Sequence, residues 1–259
     1  MPLTLISAFR DNYIYLLETG TGLWLVDPGD AGPVEHHLQA HGLSPTAILC
    51  THHHADHVGG VVHLARKYDL PVYGSGDRIP ALTHHVREGR VRIDGEDVEI
   101  LEIPGHTLDH VAYWWKDCLF CGDTLFSAGC GRVFEGTADM LFDSLEKLRH
   151  LPGITKVCCA HEYTLANLHF ARLVEPDNAW TRARLADVEK LRARGKPSLP
   201  STLEGEKSCN PFLRCSEAKV VEAARRWNPG CGGTPLEVFA TLRRWKDGFT
   251  APSDRRGET

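Results

Sequence analysis

No apolar run in the sequence approaches the roughly 18 or more residues that a membrane helix needs, so no membrane span is expected. Positive charge is not in excess either. Lys and Arg number 29 against 34 Asp and Glu, a net charge of −5, whereas a nucleic-acid binder usually shows a basic domain or stripe. Residues 1–10 lack a basic start followed by a long apolar stretch, so no secretion signal is expected there. There is no internal repeat and no low-complexity segment. The nine cysteines are odd in number and lack small-scaffold spacing. Without a secretion signal, they are expected to be reduced thiols of a cytoplasmic protein. What remains is a globular mixture of 259 residues, 42% hydrophobic and 24% charged, enough for one large domain or two modest ones.

Histidine is what the chain has in abundance. There are 15, and four of them, His52, His53, His54 and His57, fall within six residues. This segment follows the apolar run 47–50 and precedes a helical pattern at 60–68, so it is expected on a loop at the end of a strand. In an extended loop, His52 and His54 point the same way. Asp56 and His57 can turn toward a second point. Imidazole and carboxylate suit zinc, iron or manganese, and no thiolate set suggests a structural four-cysteine site. Further donors recur in the same context. His106 follows the β-prone run 98–103, Asp123 follows 119–121, and His161 follows 156–159. Donors at the ends of successive strands can meet at one edge of a layered sheet.

Strand and helix patterns alternate over the first two-thirds of the chain, with further β-prone runs at 3–6, 13–17, 23–26 and 111–115 and helical periodicity at 34–40 and 140–151. From about residue 165 the β-prone runs stop. Residues 165–174, 179–194, 217–227 and 235–248 suit helices, and 196–201, with two prolines, suits a loop. Thr234-Pro235-Leu236-Glu237 is a helix start, with a threonine cap, proline at the first position and glutamate at the third. A domain boundary is expected near 165, and the polar tail 251–259 is expected to fray. Cys118, Cys121, Cys158 and Cys159 lie in β-prone runs and read as core. The isolated histidines, such as His36, His63 and His169, read as structural or surface groups. His53 is expected to point away from its neighbours, and His110 is divided between supporting a ligand and packing.

The string His52-x-His54-x-Asp56-His57, with His106, Asp123 and His161 beyond it, resembles the metallo-β-lactamase superfamily. Asp11-Asn12-Tyr13, Cys121-Gly122-Asp123-Thr124-Leu125-Phe126, Gly129-Cys130-Gly131-Arg132, Phe134-Glu135-Gly136-Thr137-Ala138, His161-Glu162-Tyr163-Thr164, Asn210-Pro211-Phe212 and Arg243-Arg244-Trp245-Lys246-Asp247 narrow the likeness to the glyoxalase II family, the hydroxyacylglutathione hydrolases. The resemblance implies an α/β fold, a four-layer αββα metallo-β-lactamase sandwich over residues 1–165, followed by a C-terminal α-helical, substrate-binding domain over 166–259. It implies two divalent metal ions, zinc foremost, with iron and manganese as alternatives. His52, His54 and His106 would hold one, Asp56, His57 and His161 the other, and Asp123 would bridge them together with a hydroxide. Asp56 and Asp123 are the implied catalytic carboxylates. Arg132, Phe134, Tyr163, Arg243 and Lys246 fall where the family holds glutathione. Animal members carry tyrosine at the position of Phe134, and phenylalanine cannot donate that hydrogen bond.

The implied reaction is hydrolysis of S-lactoylglutathione to lactate and glutathione, the second step of methylglyoxal detoxification, by a monomeric cytoplasmic enzyme without nucleic-acid or membrane partners. Arg243 and Lys246 are three residues apart on an expected helix and share a face, which suits a carboxylate. Asp27, at the end of the run 23–26, is expected to hold a ligand imidazole. The competing expectations are a persulfide dioxygenase-like or other hydrolytic activity on the same fold, a nuclease, and a structural metal protein.

Overall fold

The computed structural model describes residues 3–251; the expected fraying of the tail falls, apart from Ala251, outside them. Two six-stranded sheets carry the fold. The first holds β1 (Leu3–Ala8), β2 (Asn12–Glu18), β3 (Leu23–Val26), β4 (Ala47–Leu49), β5 (Val72–Gly74) and β6 (His84–His85) in that order. The second contains β7 (Gly89–Ile93), β8 (Glu96–Glu102), β9 (Val111–Trp115) and β10 (Cys118–Gly122). A two-stranded ribbon follows, β11 (Leu125–Phe126) with β12 (Gly129–Cys130); then β13 (Lys156–Cys159) and β14 (Ser201–Thr202) complete the second sheet in the order β14-β13-β10-β9-β8-β7. The helices are α1 (Ala31–His41), α2 (Ala55–Val58), α3 (Val61–Tyr68), α4 (Ala138–Arg149), α5 (Thr164–Val174), α6 (Ala179–Ala193), α7 (Leu203–Cys209), α8 (Ala218–Trp227) and α9 (Pro235–Asp247). Among the described residues, no helix is long and apolar enough to cross a membrane.

The sheets face each other through aromatic contacts. Tyr15 meets Phe120 edge-on at 5.5 Å, and Trp24 meets Trp115 at 5.4 Å; such pairs add about 0.5–1.5 kcal/mol beyond the area they bury. The outer face of the first sheet, with Ile14, Leu16, Leu25 and Ile48, packs on Val34 and Leu38 of α1 and Val61 and Leu64 of α3. The second sheet shares one continuous core with Leu141 and Leu145 of α4 and with Phe170, Phe212 and Phe239 of the helical region. That gives helices, two sheets and helices in layers, the fold class that the resemblance implies.

Local chemistry explains several helix boundaries. α1 starts on Asp30, whose side chain accepts from the Gly32 amide, and ends at Gly42 in the left-handed region, φ 62°. At α9 the capping box forms as its sequence indicates, with Thr234 and Glu237 bonding reciprocally. Three expectations need correction. The metal-motif segment is not all loop, because Asp56 and His57 lie in the one-turn helix α2. The β structure does not stop at 165, because Ser201 and Thr202 pair with Val157 and Lys156 at the edge of the second sheet. The loop expected over 196–201 therefore ends at 200. A strand of two residues has no periodicity to read, and its backbone partners alone define it.

Candidate metal centre

Strand direction brings the donors together. β3 and β4 are parallel neighbours, and β10 and β13 are parallel. β8 and β10 are each antiparallel to β9, so they also run the same way. Asp27, His52, His106, Asp123 and His161 each follow the carboxyl end of one of these strands and so emerge at one edge of the sandwich. The tip between β1 and β2 adds Asp11 and Asn12 from the other side of the site.

Three imidazole nitrogens converge first. His54 Nδ1 lies 3.1 Å from both His52 Nε2 and His106 Nε2. Bonds of about 2.0–2.1 Å to one tetrahedral ion put donor atoms about 3.3 Å apart, so this set fits an ion. The second set is Asp56, His57 and His161. Asp56 Oδ2 is 3.7 Å from His57 Nε2 and 3.4 Å from His161 Nε2. Asp123 lies between the sets. Its Oδ1 is 3.4 Å from both His57 Nε2 and His161 Nε2, and its Oδ2 is 3.5 Å from His106 Nε2. His57 Nε2 and Asp123 Oδ1 are buried and have no hydrogen-bond partner, a costly state for polar atoms unless something else satisfies them. The donor chemistry, the spacing and the orphaned atoms all fit cations.

Four of the five rings are aimed by an outward partner. Asp27 accepts from the Thr51 amide, the Thr51 hydroxyl and His57 Nδ1, at 2.7, 2.7 and 3.0 Å. Asp11 accepts from His161 Nδ1 at 2.8 Å, the Arg132 carbonyl accepts from His106 Nδ1 at 2.8 Å, and the Thr51 hydroxyl lies 3.1 Å from His52 Nδ1. Each of these contacts turns Nε2 inward. The expectation for Asp27 matches its position. Its backbone is left-handed, φ 51°, a conformation asparagine tolerates well. Asp27→Asn therefore isolates the carboxylate: metal affinity is expected to fall about 10- to 100-fold in a chelator competition.

Electrostatics divides the rings. Burial, reinforced by His57 and His110, pushes His52 well below its ordinary value. Burial also opposes charge on His57 and His161, but carboxylates outweigh it. Asp123 and Asp27 push His57 up to about 10, and Asp123, Asp11 and Asp56 push His161 up to about 12. Asp123 is buried, yet His57 and His161 hold its carboxyl well below the usual range.

The sequence marks Asp11 and Asn12 only as part of a family motif and leaves His110 divided between supporting a ligand and packing; the structure gives each a partner. Asn12 Nδ2 donates to Asp56 Oδ2 at 2.9 Å, and Asp11 sits 150 positions from the ring it holds. His110 is fully buried, stacks on His52 at 4.6 Å and accepts from the Asp123 amide at 3.2 Å. It supports ligands of the centre. Gly122 makes room for it, since a Cβ there would lie 2.3 Å from Thr51 Oγ1 and 2.8 Å from His110 Cε1. His53 turns away, toward Asp109 and Glu135.

A cavity of about 450 Å³ opens beside the centre, and Arg132, Phe134, Tyr163, Arg243 and Lys246 line it together with His106 and Asp123. Tyr163 stacks flat on His161 at 4.7 Å. Arg132 is exposed, and Lys246 lies 5.0 Å from the Phe249 ring. Arg243 is buried in the wall. Its Nη1 donates to the carbonyls of Cys130 and Gly131 at 2.8 and 3.2 Å, and its Nη2 to Asp247 at 2.9 Å. The two cations share the helix face, but they are not equivalent.

The fold and the paired donor sets define a class, and the sequence comparisons agree. The family model described as "Metallo-beta-lactamase superfamily" matches residues 8–161, and that described as "Hydroxyacylglutathione hydrolase C-terminus" matches residues 162–249. Such a fold with these His and Asp clusters implies a pair of divalent ions. A hydroxyacylglutathione hydrolase of Nitrosomonas europaea is 46% identical over 253 residues, covering 96% of this chain and 97% of its own. One of Aliivibrio salmonicida is 50% identical over 248 residues, covering 94% and 98%. The crystal structure of TTHA1623 in a di-iron-bound form is similar at a TM-score of 0.54 and 32% identity, over 62% of this chain and 92% of that one. This chain belongs to the hydroxyacylglutathione hydrolase family.

Proposed function

We propose that the protein hydrolyses S-(2-hydroxyacyl)glutathione thioesters, converting S-lactoylglutathione and water to lactate and glutathione. In this proposal two divalent ions, zinc foremost, are held by His52, His54 and His106 and by Asp56, His57 and His161, with Asp123 shared. The supporting observation is one cavity whose wall runs from His106 and Asp123 to Arg132, Tyr163 and Lys246. It joins groups suited to a reacting carbonyl with cations suited to a carboxylated thiol.

The bound ions would supply water acidified to a pKa of about 7 and a Lewis acid for the thioester carbonyl. Asp56, half-exposed and braced by Asn12, orients the attacking water. Asp123, seated between the donor sets, keeps them at a fixed separation. Arg132 and Lys246 offset the carboxylates of glutathione, and the ring of Tyr163 packs along the peptide. A departing thiolate, with an ordinary pKa of about 8.5, leaves without a dedicated acid. We also propose the division into a catalytic unit, 1–165, and a helical substrate-binding unit, 166–259, which the limits of the two matched family models support. A cytoplasmic setting is supported by nine cysteines that are all buried and free. A monomeric state belongs to the same proposal, and sedimentation checks it.

The deciding experiment measures free thiol released from S-lactoylglutathione by metal-loaded protein; no release rejects the proposal. Lys246→Ala is expected to raise KM about tenfold with kcat within about twofold, because it removes binding remote from the reacting carbonyl. Arg243→Ala should also lower thermal stability, since it strips the Cys130 and Gly131 carbonyls of their donor.

A further inference from the structure

Beside the metal centre lies a polar network that the chemistry above does not use. Arg78 grips Glu135 with both terminal nitrogens, at 2.6 and 2.8 Å. The same carboxylate accepts from the Leu108 amide at 3.0 Å and lies 3.3 Å from His53 Nε2. The other nitrogen of His53 is 3.2 Å from Asp109, and Arg78 is 3.7 Å from Asp109. His53, Asp109 and Glu135 are close enough to hold a cation, and the cation in place is the Arg78 guanidinium. Gly76 lets Asp109 approach, because a Cβ there would lie 1.9 Å from its Oδ2.

This network joins the histidine segment, the loop carrying His106, the turn carrying Arg78, and the loop after Arg132. Phe134 precedes Glu135 and is 63% exposed, with its ring edge-on to His54 at 5.7 Å and to His106 at 5.1 Å. An exposed phenyl ring has no hydrogen bond of its own to hold it. Its backbone is held weakly, since the amides of Phe134 and Glu135 both reach the His106 carbonyl at 3.3 Å. The strong contacts are those of the next side chain.

We propose that Glu135, clamped by Arg78 and His53, is a positioning residue that fixes Phe134 as a wall of the thiol-binding cavity and so sets affinity for the glutathione portion of the substrate. It rests on the proposed thioesterase activity. Arg78→Ala and Glu135→Gln are each expected to raise KM for S-lactoylglutathione about 5- to 20-fold, with kcat within about twofold and metal content unchanged. On the lactoyl thioester of N-acetylcysteamine, which lacks the peptide, kcat/KM is expected to stay the same. In a Phe134→Ala background, Glu135→Gln should add no further rise, because the wall it holds is gone. Unchanged KM, an equal loss on both thioesters, or a fully additive double variant overturns the inference. If the unsubstituted protein releases no glutathione, the activity fails and the inference with it; normal turnover with unaltered variants removes the inference alone.

Discussion

Asp123→Asn is expected to lower kcat about 1,000-fold or more and to take bound metal from two ions per chain to about one. The two oxygens of Asp123 face opposite ways, one toward His57 and His161 and the other toward His106. Asparagine keeps one acceptor but turns an amide NH2 toward the other donor set, and it removes a negative charge from between two cations. Elemental analysis and steady-state kinetics on the same sample check both effects. Unchanged metal content would show that Asp123 does not join the two sets.

Chelation is expected to abolish turnover while leaving the sandwich folded, with far-UV circular dichroism preserved and activity restored by added zinc, iron or manganese. The core explains the first half of the contrast. The sheets are joined to each other and to the helices by large clusters of buried apolar side chains, which hold together without an ion. A structural metal protein would instead unfold. Affinity should also depend on pH with a definite sign. In the metal-free protein the carboxylates raise His57 to about 10 and His161 to about 12, so both rings carry protons that an ion must displace. Binding therefore releases protons, and affinity rises with pH through the range below about 10. Calorimetry in buffers of different ionisation enthalpy measures the protons released, and none released would contradict the assigned donors.

Much of the site was legible because its residues follow recognisable strands. The runs before His52, His106, Asp123 and His161 are β-prone, and each becomes a strand. The start of α9 was legible because a capping box is contained within four residues. Of the supporting groups, Asp27 was anticipated and His110 in part, but the partners of Asp11 and Asn12 were not. Asp11 and His161 are 150 positions apart, and Asn12 and Asp56 are 44 apart, with nothing local to mark either pair. His110 carried no sign that it would stack on His52. Arg243 was expected beside Lys246 on a helix face suited to a carboxylate, and only the folded packing shows that its guanidinium is buried against the carbonyls of Cys130 and Gly131.

Donor types, their order and their places after strands are properties of the chain itself, because propensity and short-range spacing act over a few residues. Which donors share an ion, which rings are turned inward, and which cations remain open to a ligand were decided by the packing of the two sheets and their helices. Distances and burial depend on contacts between segments far apart in sequence, and those contacts exist only in the folded protein.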